Sequence, residues 1–396
     1  MKRNQMKIPG SEEFMTVLPG GWIAKSSRYL LLGFGFLLVL SCSKKNTVTP
    51  VSPNPTAPAD TTTIKGATDI ITGVAVSYDL MKNNTAYASL VKEQFDRVTF
   101  EYQMKHAPNV QNDGSFNFTN TDELVNLVQS AGMKIHGHTL VWHQNNNGTY
   151  LRSLVAPGGS GYDSARVSNA MHDWITAAVT RYKGKVTGWD VVNEAFAEDG
   201  SLRTGVSAND AFYWYPVLGS SYIGQAFTWA HQADPGALLF INDYNLESNP
   251  VKLDALIAKV TELRSQGIPV DGIGTQMHIS IQTSDSDIDN MFIKLAATGL
   301  KIHVSELDIR VNPNNNSSFT FTQTLQDSQA KKYQYVAASY KKHVPAAQQY
   351  GITVWDVSDA DSWIVTSQKS LDYPTLFDKN YQKKPAFAQF VAGLKQ

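Results

Sequence analysis

The sequence predicts an α/β fold: a TIM (β/α)8 barrel forming one large domain behind an export signal and a flexible linker. Three observations predict it. Short apolar runs alternate eight times with longer stretches of helical periodicity. No low-complexity break interrupts the chain from Gly66 to Gln396. Several of the apolar runs finish in polar or aromatic side chains that a closed core would not accept. The expected strands are Ile71–Val76, Arg97–Glu101, Lys134–Leu140, Thr187–Asn193, Ala237–Asn242, Gly272–Met277, Lys301–Glu306 and Gly351–Trp355. Between them, Leu124–Ala131 sets Leu124, Leu127, Val128 and Ala131 on one helical face, and Val251–Leu263 does the same with Leu253, Leu256, Ile257, Val260 and Leu263.

The N-terminal part has another character. Lys25 and Arg28 precede an apolar run, Tyr29–Leu40, which is too short to span a bilayer and has the shape of a signal-peptide core. The run ends in Val39-Leu40-Ser41-Cys42, which resembles a bacterial lipobox, with Leu40 somewhat bulky for its position. Residues 1–42 are therefore expected to be a signal with Cys42 as the lipidated residue. The protein would be exported and held by a lipid anchor at the bacterial outer membrane or cell surface, a plain secreted or periplasmic form being the alternative. Residues 43–65, rich in Pro, Thr, Ser and Asn with four prolines between Pro50 and Pro58, read as an extended tether that cannot bury a core. Residues 66–396 form the expected globular domain.

Charge narrows the partners. The whole chain carries 34 basic and 35 acidic side chains, and losing residues 1–42 would leave 29 against 33, a balance of −4. This is no footprint for nucleic acid. The membrane would be reached only through the anchor. Cys42 is the single cysteine, so no disulfide can form within the chain. Eight Trp and 17 Tyr are mostly core material, but they also suit a groove that stacks on uncharged sugar rings.

In a barrel the C-terminal strand ends share one face. Gathered there would be Glu101 and Lys105 from strand two, His138, Trp142 and His143 from strand three, and Asn193 and Glu194 from strand four. Gln276 and His278 would come from strand six, Glu306 and Asp308 from strand seven, and Trp355 and Trp363 from strand eight and its loop. Two carboxylates across a sugar-binding cleft are the minimum for glycoside hydrolysis, one protonated to help the leaving group and one ionised at the anomeric carbon. Taken singly, a Glu beginning a helix is more often a cap, and a strand His more often a satisfied buried group. His136 and His138 alternate on one strand with no third ligand evident nearby, so no metal site is expected. No cofactor is expected either: the glycines at 158, 159 and 161 have no phosphate-loop signature after them.

Five segments in order resemble the xylanases of glycoside hydrolase family 10: Gly137–His143 (GHTLVWH), Trp189–Ala195 (WDVVNEA), Gln266–Ile279 (QGIPVDGIGTQMHI), Glu306–Ile309 (ELDI) and Leu376–Tyr381 (LFDKNY). The resemblance covers Gly66 to about Leu394. It implies a single catalytic domain performing retaining endo-hydrolysis of β-1,4-xylan, as a monomer acting on xylan and xylo-oligosaccharides. Glu194 would be the acid/base and Glu306 the nucleophile. Asn193 would bond the 2-hydroxyl of the sugar under attack. Asp308 would hold His278, and His278 would orient Glu306, with Gln276 supporting the same region. Glu101, Lys105 and His138 would bond glycone hydroxyls, and Trp142, Trp355 and Trp363 would wall the subsites. His143, His303 and Asp190 are assigned no chemistry, and Trp174, Trp189 and Trp229 are assigned to the core. The alternatives are a barrel glycosidase acting on another β-glucan or on decorated xylo-oligosaccharides, and a surface lipoprotein that binds xylan without cutting it.

The chain departs from the family pattern at four places. Tyr102 stands where Asn is usual, Asp356 where Gly is usual, and His136 where Arg is usual, and the Asn-rich loop Gln144–Tyr150 lacks the usual turn. These changes bear on subsite preference rather than on the two carboxylates.

Overall fold

The computed structural model describes residues 62–159, 161–205 and 210–396. The expected signal segment, Cys42 and most of the linker lie outside them. Within the linker range, however, Ile64 is fully buried and its N–H donates to Gln94 Oε1, while Lys383 Nζ reaches Thr62 O. The packed domain therefore begins before Gly66, because Ile64 has a core slot that the Pro/Thr-rich composition around it hides. No helix among the described residues is long and apolar enough to cross a membrane.

Nine parallel strands follow in sequence: β1 (Thr72–Val76), β2 (Arg97–Phe100), β3 (Lys134–Val141), β4 (Val186–Asn193), β5 (Leu238–Asp243), β6 (Gly272–Thr275), β7 (His278–Ser280), β8 (Lys301–Arg310) and β9 (Gln349–Val354). Neighbours pair in order from β1 to β6; β6 then pairs with β8, β8 with β9, and β9 with β1, which closes an eight-stranded barrel. The ninth strand, β7, lies along the outer end of β8, with His278 opposite Asp308. The expected sixth strand is thus broken at Met277, whose φ of 55° is left-handed.

Helices cover the outside, and their ends follow local chemistry. Thr119–Ser130 buries Leu124, Val125 and Val128. Pro250–Ser265 starts with Pro at its first position behind Asn249, whose side chain accepts from Lys252 N. It buries Leu253, Leu256, Val260 and Leu263. Trp174 and Trp189 are core, as expected, while Trp229 is only partly buried against it.

The barrel interior is more polar than branched aliphatic layers would make it. Arg97, 2% exposed, donates from Nη1 to Tyr350 O, sets Nη2 3.0 Å from His303 Nε2, and lies over the Tyr350 ring. His303 meets Thr353 Oγ1, and His136 meets the Tyr350 hydroxyl. A buried guanidinium is costly unless its donors are used; contacts from β8 and β9 occupy Nη1 and Nη2, while Nε meets no partner. Above this layer, β3, β4 and β8 each carry a register shift: between His138 and Val141, Asp190 and Val192, and Val304 and Leu307. Such irregularities re-aim side chains. On β8 this lets the consecutive residues Ser305 and Glu306 both bond Asn242.

Gly137 lies opposite Trp189 across the β3–β4 pairing. A Cβ there would stand 2.1 Å from Trp189 Cε3, and the fully packed indole has nowhere to go. Gly137→Ala is expected to cost about 1–3 kcal/mol through overpacking. A lower urea midpoint at unchanged slope would show it; an unshifted midpoint would mean that Trp189 has room to yield.

Candidate active site

Glu194 follows the last residue of β4 and adopts a left-handed backbone, φ 54°. A non-glycine residue holds that conformation only where its surroundings fix it. Here its N–H donates to Asn242 O at 2.8 Å, and its carbonyl accepts from Arg203 Nε at 3.1 Å. Arg203 also donates to Phe196 O and to the Tyr244 hydroxyl. The strand end is thereby clamped from both sides. The Glu194 carboxylate meets Gln276 Nε2 at 3.3 Å, and His143 Nε2 lies 3.9 Å away.

Glu306 lies within β8 and is 5% exposed. Asn242 Nδ2 donates to its Oε1 at 2.8 Å, His278 Nε2 stands 3.2 Å from Oε2, and His138 Nδ1 lies 4.0 Å from Oε1. Burial works against ionisation of this carboxyl, but His138 and His278 outweigh it and hold it below the usual range. His278 is gripped on its other side by Asp308 Oδ2 at 2.7 Å, which also accepts from Trp363 Nε1 at 2.8 Å. Burial alone would lower the imidazole, yet Asp308 and Glu306 together push it up to about 10. The expected Asp308–His278–Glu306 chain is therefore present.

The two carboxylates are linked through amides. Asn242 Nδ2 also donates to Asn193 Oδ1, and Gln276 Nε2 stands 3.3 Å from both Asn193 Oδ1 and Glu194 Oε1. Gln276 thus supports both sides, its side chain reaching Glu194 and its backbone carbonyl accepting the N–H of Glu306. Around this centre, Trp355 and Trp363 flank His278, with ring centroids 6.2 and 4.9 Å from it, and Trp355 also borders His138. Lys105 Nζ lies 4.6 Å from the Trp142 ring centroid, within the fields of Glu306, Glu101 and Glu194. Glu101 follows β2, and Tyr102 beside it is 44% exposed. Every expected site residue within the described chain falls in this mouth; Cys42 lies outside it.

Sequence reasoning missed four contributors. Asn242, next to last in β5, bonds the Glu306 carboxylate and the Glu194 backbone N–H; its signal was a polar residue closing an otherwise apolar run. Arg203 sits in a loop and offered no pattern. His143 and Asp190 were given no chemistry, yet His143 adjoins Glu194, and Asp190 holds His138 Nδ1 at 2.9 Å. Burial would raise Asp190, but His136 and His138 bring it down to about 2. The view that His136 has no third ligand nearby also needs correction. Among the described residues His136, Asp190 and His303 bring donor atoms within 4.8 Å of one another, His303 arriving from a strand distant in sequence. Arg97 stands directly against His303 and places a fixed positive charge beside this group, which disfavours a cation there.

Comparison with known proteins agrees with this geometry. Residues 61–393 match the sequence family described as Glycosyl hydrolase family 10. The chain is 34% identical over 347 residues to the endo-beta-1,4-xylanase Xyn10C of Cellvibrio japonicus, spanning 82% of this chain and 56% of that one. It is 34% identical to a beta-1,4-xylanase of Dictyoglomus thermophilum, spanning 81% and 87%. A solved family 10 structure from Paenibacillus barcinonensis superposes with a TM-score of 0.77 at 30% identity, covering 83% of this chain and 96% of that one. Against the curated relatives it matches first, the chain spans from about a quarter to little more than half of their length.

The Asp308–His278 contact yields a stability prediction. His278 is raised above its ordinary value near 6.5, so its contribution is fully present below that pH and is lost as pH rises through about 10. Asp308→Asn removes the carboxylate that does most to raise His278. The variant should lose stability at neutral pH and show a flatter decline between pH 7 and 10. Urea midpoints across that range, with the imidazole followed by NMR, measure both; an unmoved His278 titration would refute the assignment.

Proposed function

The chain belongs to glycosyl hydrolase family 10, and from that membership we propose that it cleaves internal β-1,4-xylosidic bonds of xylan with retention of configuration. The observation that carries the proposal is the pair Glu194 and Glu306, joined through Asn193, Asn242 and Gln276 at one barrel mouth. Glu306, kept ionised by His138 and His278, attacks the anomeric carbon and forms a glycosyl ester. Glu194 gives its proton to the departing oxygen. A water then enters, loses its proton to Glu194 and displaces Glu306, so that two inversions yield a β product. Asn193 bonds the 2-hydroxyl of the reacting sugar. Glu101, Lys105 and His138 bond glycone hydroxyls, and Trp142, Trp355 and Trp363 supply the apolar faces on which sugar rings lie.

The test is product stereochemistry with two variants. Glu306→Ala should abolish release of reducing ends from xylan. Glu194→Ala should spare the first step on aryl xylosides with good leaving groups, which need no proton, while turnover of xylan falls by about 10²-fold or more. Proton NMR in the first minutes should show the β anomer, and an α first product would rule out the mechanism. Parallel assays on mixed-linkage glucan and mannan test the substrate.

For location, the apolar run ending at Cys42 supports export with a lipid on that cysteine and a tether beyond it. Several acyl chains on one residue anchor firmly where a single chain holds only marginally. Cys42→Ser should release the protein from membranes or leave the precursor uncut. A mature N-terminus elsewhere than residue 42, read by mass spectrometry, would overturn the lipoprotein reading.

A further inference from the structure

Next to the nucleophile's supporting chain lies a second group of carboxyls that the mechanism does not use. Asp356 follows Trp355 at the end of β9, is 1% exposed and takes a left-handed backbone, φ 69°. Its Oδ2 accepts the backbone N–H of Trp363 at 2.6 Å. Its Oδ1 is buried and meets no donor, and neither does Glu101 Oε1. The two side chains nonetheless lie close enough to hydrogen-bond each other. Two ionised carboxylates cannot do so, because each offers only acceptors. One shared proton resolves the arrangement: Oδ2 is already occupied by Trp363, so Oδ1–H donates to Glu101, and both orphan oxygens are satisfied.

We propose that Asp356 works as an uncharged carboxylic acid, a positioning residue that ties Glu101 on the glycone side to the Trp363 loop. Through Trp363 Nε1 the tie continues to Asp308, His278 and Glu306. It thereby fixes the tryptophan that walls the subsite and the carboxylate that grips a sugar hydroxyl in one arrangement.

The groups facing the pair agree with this. Asp361, five residues further along the chain, and Asp308 from β8 add negative field, while Lys105 supplies positive charge. Tyr87, from helix Thr85–Gln94, completes the surroundings. Asp361 accepts from Val357 N, Ser358 N and the Ser358 hydroxyl, so it is committed elsewhere. Burial first, then Glu101 and Asp361, raise Asp356 well above the carboxylate range, and burial with Asp361 raises Glu101 to about 7.

Asparagine separates this proposal from a structural role for an ionised aspartate. Its Nδ2–H can donate to Glu101, its Oδ1 can accept from Trp363, and it tolerates the left-handed backbone. Asp356→Asn should keep kcat/KM on xylo-oligosaccharides within about twofold of wild type near pH 5.5, whereas Asp356→Ala, which loses both bonds, should fall about tenfold. At alkaline pH, once the strongly raised Asp356 gives up its proton, the wild-type KM should increase; the Asn variant should not follow.

A second readout is independent of xylan, since the proposal rests on the glycosidase reading of the site. An acid raised on folding makes the native state hold the extra proton, so stability falls as pH rises from the unfolded pKa toward the native one. The wild-type melting temperature should therefore drop more between pH 5 and 8 than that of Asp356→Asn. Equal losses for Asn and Ala together with parallel melting curves would overturn the proposal. Absence of xylanase activity in wild type, with the melting difference intact, would sink the glycosidase reading alone.

Discussion

A buried carboxylate must be met by positive charge or by hydrogen-bond donors, or it keeps its proton. The mouth of this barrel is organised by which answer each acid receives. Glu306 is met by two histidines and an asparagine, and stays ionised. Its histidine, His278, is in turn charged because Asp308 stands behind it. On the other side, His136 and His138 hold Asp190 well below the usual carboxylate range. Asp308, His278 and Glu306 thus form one chain in which each group is backed by a partner of opposite character. Breaking such a chain at one link is costly because it strands the next.

This constraint also explains why the strand ends are irregular. Regular alternation would send only every second residue of a strand to the interior. The site needs more: His138 with Asp190 opposite it, then Asn193 and Glu194 in succession, and Ser305 beside Glu306. The shifts in β3, β4 and β8 and the left-handed residues Glu194 and Met277 supply that. Their cost is met by local hydrogen bonds, among them the clamp of Arg203 and Asn242 on Glu194.

Much of this was legible in the sequence, because apolar runs mark strands and polar residues at their ends mark a mouth. All eight barrel strands lie where the alternation puts them, and the carboxylates with their histidine and tryptophan neighbours converge. What stayed hidden depends on contacts across the barrel. Nothing in the run Arg97–Glu101 says that Arg97 points inward to His303, some two hundred residues away. A bulge leaves no local signature, so Asn242 was read as the end of a strand and not as the bridge between two catalytic candidates. Ile64 was lost for the opposite reason, a core residue inside a segment whose composition reads as tether.

The departures from the family pattern take on physical meaning against this background. Where the pattern has an arginine, this chain has His136, and Arg97 from the neighbouring strand brings a guanidinium into the same interior layer. That layer therefore still carries a fixed positive charge, set against His303 and the Tyr350 ring. Asp356 is the converse. It adds an acid among other acids, and both its burial and its carboxyl neighbours drive it toward the neutral form. A substitution that introduced a buried charge would have to be compensated; one that introduces a buried acid with a proton need only find one donor and one acceptor, and Trp363 N and Glu101 are already there.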